Sequence, residues 1–547
     1  MAAAYALTGQ ASIKGNSEMV RMVLLTFCTI GITFTWGIEM TYCTPYLLNL
    51  GLTKSNTSLV WVAGPLSGLI VQPIVGVVAD ESTSSWGRRR PLMMVGAVIV
   101  SACLLVLGFT REIVAAVVGD DGSDATRRFT VVLAVVSIYA VDFAINMIMS
   151  CARSLIVDTL PIEKQQAGAA WGSRMNAIGH MIGYGAGSID LVRLFGPGLG
   201  DSQFKQLTVI AAMAILGTTS VTCWAVTERV LQLTSPSALT TKKLPDEGPL
   251  KVFHQIRSTL LTLPPRVQAI CWAQFWSWIG WFPFLFYSTT WVGETYFRYD
   301  MPPGSRKTGT DVLGEIGRIG SAALMIYSTV SFIGAFFLPM IVRSPADETY
   351  THRPPRAMAG LLERLDRMKP DLLTAWIGGH LMFAAAMFMA PMAKSFMSAT
   401  ILMCVCGIPW AIAMWAPTAF LGIEVNKLSG AQDPSAALPL TSTRRNSNSG
   451  LPASSSSSSS GELSGIYFGI LNIYTTLPQF IGTFISTIVF AIMEPGKSPE
   501  LHDETKEAAE AEGKEVGGGT NAIAVCLFIG AMSMLIAARM THKLRRL

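Results

Sequence analysis

The stretch Val141–Arg153, with the sequence VDFAINMIMSCAR, sets an acid and a base inside an apolar run from Phe129 to Leu160. The run is long enough to cross a bilayer, and a chain in lipid must satisfy its backbone groups internally, so a spanning helix is predicted. On that helix the side chains of Asp142, Asn146 and Arg153 share one face, about 16 Å from end to end. An ionisable group at the bilayer centre costs roughly 2.5–3.5 kcal/mol and usually marks a proton relay or a substrate path. The alternative is a structural ion pair that ties this helix to its neighbours.

The composition of the whole chain is that of a membrane protein. Of 547 residues, 50% are hydrophobic and only 14% are charged, which no water-soluble globule of this size carries. The net charge of +5 does not indicate nucleic-acid binding, because Lys and Arg form short clusters between apolar runs. The nine cysteines are an odd number in or beside apolar segments, so they are predicted to be small hydrophobic residues without disulfides or metal. Residues 1–18 carry no pattern of a cleaved targeting segment.

Apolar runs of spanning length organise the chain, and an even number of spans puts both termini on one side of the membrane. The distribution of Lys and Arg between the loops favours the cytoplasm for that side. The twelve predicted runs are 20–43, 58–79, 91–110, 129–152, 167–190, 206–227, 267–291, 315–342, 372–392, 396–423, 464–492 and 520–540.

A polar interval at 228–266 divides these runs six and six. Two six-helix halves joined by a linker form the major facilitator architecture, an all-α membrane fold that holds its substrate near the midplane between the halves. The predicted segments are a cytoplasmic N-terminus 1–19, a first half 20–227, the cytoplasmic linker 228–266, a second half 267–540 and a cytoplasmic tail 541–547.

A second polar stretch, 425–462, is rich in serine and is predicted to be a disordered cytoplasmic loop. Within it, the sequence Arg444-Arg445-Asn446-Ser447 resembles a basic-directed phosphorylation site, so a protein kinase is a candidate partner. A plain linker explains the same residues.

A second acid, Glu39, lies well inside the first run. In the membrane it must face a cavity or a partner, and we expect Arg153 or His180 to be that partner. Glu39 is therefore a rival to Asp142 as the site of a transported proton, unless it is only a structural partner.

The loop between runs 2 and 3 contains Asp80, Gly87, Arg88 and Arg89. Gly87 lets the chain turn before the arginines, and the acid can pair with a cation at the inner surface. With Asp158, these residues are predicted to form a cytoplasmic gate, and the pattern resembles the major facilitator loop signature. The alternative is positive-inside anchoring, which explains the arginines but not the spacing of glycine and aspartate.

Several polar and aromatic side chains in the other runs are candidates for substrate binding. Amides, an imidazole and a phenol can bond hydroxyl groups, and aromatic side chains can pack against the apolar face of a ring. Hydrogen-bonded structure, core packing and interface aromatics are the alternatives. The candidates besides Asn146 and Arg153 are Asn176, His180, Trp281, Tyr287, Trp291, Asn472 and Gln479.

The sequence resembles the sucrose transporter family. The matching stretches are Gly76–Pro91, Asp142–Asp158, Trp281–Gly293, Gly407–Ala411 and Gly469–Asn472 with the following Pro478-Gln479. The resemblance implies proton-coupled symport of sucrose or related glucosides by alternating access. It also implies that Asp142 serves proton coupling and Arg153 serves sugar binding.

Two features depart from the plant members of that family. Around Trp291, where plant members carry acidic and basic residues, this chain has Thr289, Thr290, Glu294 and Thr295. Glu39 and the long serine-rich loop are closer in character to fungal members, which implies α-glucosides such as maltose alongside sucrose.

The expected function is therefore uptake of a disaccharide with the proton as coupling ion and without a cofactor. The expected location is the plasma membrane, with the vacuolar membrane as the alternative. A uniporter, a carrier of another sugar or polyol, and a non-transporting sugar sensor on the same fold remain alternatives. No metal-ligand pair, phosphate-binding loop or nucleophile elbow stands in a loop, so an enzyme is not expected.

Overall fold

The computed structural model describes residues 5–80, 82–119, 124–160, 162–233, 260–300, 312–342, 369–431, 456–494 and 521–547. Within these ranges the chain is almost entirely helical. Long apolar stretches without water to bond their backbone groups must bond them along the segment, which a helix does.

Six helical segments form the first half of the chain. They are α1 (Glu18–Thr26 and Cys28–Asn49), α2 (Lys54–Val60 and Ala63–Asp80), α3 (Arg90–Gly108), α4 (Asp124–Thr159), α5 (Ile162–Ser188) and α6 (Gln203–Ala225). Short helices at Thr110–Val118 and Leu191–Phe195 lie in the connections.

Six further segments form the second half. They are α7 (Pro265–Thr295), α8 (Val312–Ile341), α9 (Leu372–Phe388), α10 (Phe396–Val405 and Gly407–Ala431), α11 (Ser456–Met493) and α12 (Ala522–Lys543). We call the side that holds both termini the inner side and the opposite side the outer side.

Among the described residues, nine helices are long and apolar enough to cross a membrane, or ten if the two parts of α1, bent by 41°, count as one span. The two other long segments are α5 and α7, of 27 and 31 residues. Their polar and aromatic residues lower the mean hydropathy, and these are the segments that carry His180 and Trp281. The predicted all-α membrane fold is confirmed, and nine or ten of the twelve predicted spans meet this criterion among the described residues.

Glycines allow close approach of helices in both halves. A Cβ on Gly179 of α5 would lie 2.0 Å from the hydroxyl oxygen of Thr33 on α1, and one on Gly280 of α7 would lie 2.8 Å from the carbonyl of Gly530 on α12. Backbones can come this near only where no side chain stands between them.

Four short strands on the inner side were not predicted. β1 (Tyr5–Thr8) pairs antiparallel with β4 (Val230–Leu233), and β2 (Ser12–Ile13) pairs antiparallel with β3 (Val226–Thr227). The N-terminal segment is therefore bonded to the chain that leaves α6.

The boundaries of two predicted polar segments differ from the structure. β4 lies inside the predicted linker, because pairing with the N-terminal strand gives its backbone groups partners. At the 425–462 loop, α10 continues to Ala431 and α11 begins at Ser456, because a formed helix extends at one hydrogen bond per added residue. The candidate kinase sequence at 444–447 lies outside the described residues.

Candidate functional site

The polar stripe of α4 faces α2. Asp142 is 4% exposed and Asn146 is 3% exposed. The amide of Asn146 donates to the hydroxyl of Ser67 at 2.7 Å and accepts from the amide of Gln72 at 3.1 Å. The carboxylate of Asp142 lies against Gly64, where an added Cβ would be 3.9 Å from its Oδ2 atom.

Asp142 makes no ion pair with any of the residues that the structure describes. The alternative of a structural ion pair therefore has no support in this part of the chain. A buried carboxylate without a cation is most easily held in lipid as the neutral acid.

Glu39 lies at the start of a π-helical turn, Glu39–Cys43, within α1. Such turns are rare in proteins, and those that occur are often found at functional sites. Glu39 is 6% exposed and lines a small cavity with Ile138 and Val141, the residue that precedes Asp142. The Oε1 atom of Glu39 has no hydrogen-bond partner within the described ranges.

The predicted partners of Glu39 were wrong. The guanidinium of Arg153 instead donates to the sulfur of Met149 at 3.4 Å, one turn back on α4. His180 stacks on Tyr184 with ring centroids 5.5 Å apart, and its Nδ1 atom finds no partner among the residues described. Glu39 bonds to neither residue, because its π-helical turn places its side chain at the cavity beside α4.

Arg153 and Asn176 both have exposed side chains, whereas Asp142 is buried eleven positions before Arg153 on the same unbroken helix. The polar stripe of α4 thus runs from a buried acid, Asp142, to an exposed base, Arg153. His180 of α5 is half-buried. These positions agree with a substrate path that is open near Arg153, and the role of each residue stays a prediction.

The predicted aromatic residues of α7 are packed inside the protein. Trp281, Tyr287 and Trp291 are each 1% exposed. Trp281 lies in a cluster of rings, 4.5 Å from Phe383 and 4.9 Å from Trp410 between centroids. In this state core packing accounts for all three, and contact with sugar stays a prediction.

On α11, Asn472 and Gln479 are half-buried. The amide of Gln479 donates to the carbonyl of Thr475 at 3.0 Å, one turn earlier on the same helix. Its oxygen remains the group available to a substrate hydroxyl.

The predicted inner gate is assembled around Asp158. Its Oδ2 atom accepts from Arg88 Nη2 and Arg89 Nε, each at 3.1 Å. Gly87 has φ +123°, a left-handed conformation that glycine adopts without strain. Of Asp80 the structure describes the backbone at the end of α2 and not the side chain. These described contacts lie within the first half.

Sequence reasoning missed Glu228, which is 5% exposed beside that cluster. Its carboxylate accepts from the backbone N–H groups of Arg88, Arg89 and Arg90 at 2.8, 2.9 and 2.8 Å. Three consecutive N–H groups form a concave anion site. An acid directly after α6 and facing the arginine loop was the available signal.

Sequence reasoning also missed a cross-half cluster on the outer side, where Lys54 of α2 lies between Glu294 of α7 and Glu494 after α11. Glu294 stood out only as a departure from the plant pattern. Nothing in the sequence relates it to a lysine about 240 positions earlier.

Buried acids on spanning helices, set within two six-helix halves, define a membrane transporter of the major facilitator fold. Solved structures support the fold. A D-xylose-proton symporter superposes with a TM-score of 0.51 at 14% identity, covering 94% of this chain and 97% of its own. A bacterial homologue of the human lysosomal transporter Spinster, in an inward-facing and occupied conformation, gives 0.54 at 13% identity, with 97% and 98% covered.

Sequence relatives are more specific. The general alpha-glucoside permease of Schizosaccharomyces pombe is 28% identical over 96% of this chain and 93% of its own length. The sucrose transport protein SUC4 of Arabidopsis thaliana is 26% identical over 89% of this chain and 88% of its own. No model of a protein family matches the sequence.

The resemblance to the sucrose and α-glucoside transporters is thus confirmed. The relatives are transporters and not enzymes, so the expectation of a transporter is also confirmed. The chain is an integral membrane protein that crosses the bilayer several times.

Proposed function

We propose that this protein is a proton-coupled symporter that takes up sucrose or related α-glucosides such as maltose by alternating access. The observation that carries the proposal is the pair of buried acids, Asp142 and Glu39, neither of which pairs with a cation among the described residues. Glu39 lines a small cavity together with Val141, the residue that precedes Asp142. The names of the fungal and plant relatives support the choice of sugar.

A carboxylate that is sealed in one state and wet in another takes up a proton in one and releases it in the other. One charge moved across about 100 mV is worth roughly 2.3 kcal/mol. With about 1.4 kcal/mol per tenfold, this sustains a sugar gradient of about forty-fold.

In this scheme Asp142 holds the proton and Asn146 fixes the surface of α2 beside it. Arg153 binds sugar hydroxyls, because a guanidinium fork can bond two at once. His180, Asn176, Trp281, Tyr287, Trp291, Asn472 and Gln479 are the further proposed substrate contacts, and the Asp158 cluster with Asp80 and Gly87 is the proposed inner gate.

The test is uptake of labelled sucrose and maltose into vesicles that contain the purified protein, with and without an inward proton gradient. We expect accumulation above equilibrium only with the gradient. Asp142→Asn should bind sugar but not accumulate it. Glu112→Gln is the matched control, because that acid pairs with Lys205, is 48% exposed and is not among the residues that line the cavity.

Equal uptake with and without the gradient would favour the alternative of a uniporter. Binding without any uptake would favour a sugar sensor. A panel that includes polyols would identify another substrate.

We further propose that the protein works in the plasma membrane, with the vacuolar membrane as the alternative. The proposed partners are the sugar, the proton and the lipid bilayer, with a kinase as candidate partner of the 425–462 loop. Localisation of a tagged chain and phosphate mapping of Ser447 would test these two points.

A further inference from the structure

Lys54 is a buried cation at the outer junction of the two halves. Its side chain is 3% exposed, and its Nζ atom lies 2.7 Å from Oε1 of Glu294 and 2.5 Å from Oε2 of Glu494. Lys54 belongs to the first half, whereas both acids belong to the second.

The two acids are also anchored within their own half. Glu294 accepts from the amide of Asn521 at 2.9 Å, and Glu494 accepts from the backbone N–H of Ala522 at 3.3 Å. Arg298 lies 3.5 Å from the second oxygen of Glu494. Lys54 is therefore the member of the cluster that would separate if the halves moved apart.

Charge balance suits such a separation. Among the described residues, Lys54 and Arg298 offset Glu294 and Glu494. After separation Glu494 retains Arg298 and Glu294 retains the amide of Asn521, while water that enters the opened seam can solvate Lys54 and Glu294.

The contacts between the halves beside this cluster include small polar ones, whereas Trp61 of α2 packs on Phe286 of α7 farther along the same two helices. The hydroxyls of Ser58 and Thr487 are 2.6 Å apart, and Ser55 donates to the carbonyl of Thr487 at 3.2 Å. Such contacts can part and be replaced by water, unlike interlocked apolar side chains.

A second ion pair closes the same side at a distance from the first. Arg318 at the start of α8 lies 3.0 Å from Asp190, which follows α5. The described ion pairs that join the halves all lie on the outer side.

We propose that Lys54, Glu294 and Glu494 form a charge clamp that holds the outer side closed, and that this clamp must open before sugar enters from outside. The proposal rests on the alternating access of the proposed function. It assigns Lys54 a positioning role in the transport cycle, without contact to sugar or proton.

The test measures opening directly. Ser58 is fully buried in the closed seam, so Ser58→Cys is a reporter for it. The purified protein is labelled with a water-soluble maleimide, and labelling at position 58 is followed by peptide mass spectrometry, which separates it from the nine native cysteines.

We expect Lys54→Met to raise the labelling rate at least about tenfold, because the open state gains population when the clamp is broken. Lys205→Met is the matched control. Lys205 is also an outer lysine of the first half, but it pairs with Glu112 and Asp201 of that same half, so its loss should leave the rate unchanged.

If Lys54→Met does not fold, Glu494→Gln is used in its place. This variant keeps the ion pair between Lys54 and Glu294, so we expect a smaller rise in the labelling rate. An unchanged labelling rate in the folded variant, or an equal rise in Lys205→Met, overturns the clamp. Labelling needs neither sugar nor a proton gradient, so failure of the sugar assays leaves this result distinct.

Discussion

Replacing Glu228 with glutamine tests how the inner arginine loop is held. The carboxylate accepts three backbone N–H bonds in a buried position. In Glu228→Gln the amide oxygen can keep two of these bonds, whereas the NH2 group meets the third N–H with no acceptor.

The substitution weakens two hydrogen bonds and removes a third. A hydrogen bond to a charged group contributes about 1.5–3 kcal/mol and a neutral one about 0.5–1.5 kcal/mol, so two weakened bonds lose about 2 kcal/mol. The third N–H, left buried and unpaired, costs a further 1–3 kcal/mol or so. The free energy of unfolding of the first half should fall by about 3–5 kcal/mol.

The assay is thermal unfolding of the purified protein in detergent. At about 2–4 °C per kcal/mol for a unit of roughly 200 residues, the melting temperature should fall by about 10 °C. Glu18→Gln is the control, because its pair with Lys164 joins side chains that are 62% and 47% exposed, and exposed pairs contribute only about 0–1 kcal/mol. Equal melting temperatures for the two variants would refute the reasoning.

Three further predictions concern transport and packing. Asp142→Asn should retain sugar exchange across the membrane but lose sugar-induced proton uptake, and accumulation that survives in it but collapses in Glu39→Gln would move the proton to α1. Arg153→Lys should weaken sugar binding about tenfold or more in equilibrium titration, since lysine cannot bond two hydroxyls as a fork does; an unchanged affinity would make Arg153 an interface anchor. Gly179→Val should lower the melting temperature, because its Cβ would meet the hydroxyl of Thr33 at 2.0 Å; an unchanged value would contradict the close packing.

The spanning helices could be predicted because each carries its own signal. Hydrophobicity over about 20 residues is local information, and so is an acid inside such a run. The position of Asp142 and Asn146 on one buried face followed from the helical period alone.

The contacts between distant segments could not be predicted in this way. Lys54 and Glu494 are 440 positions apart in the sequence. Glu39 faces its cavity because of a π-helical turn, which no residue pattern predicted. Likewise, β1 and β4 are strands of only four residues, and their pairing depends on the N-terminus of α1 and the C-terminus of α6 lying close together.

The pairing of β1 with β4 has a consequence for biosynthesis. Residues 5–8 leave the ribosome before residues 230–233 and stay without their strand partner until those residues have followed. The pairing of β1 with β4 can therefore form only when the first half is complete, and it can form before the helices of the second half have left the ribosome. A nascent chain stalled a few tens of residues after Leu233 should already resist proteolysis at its N-terminus.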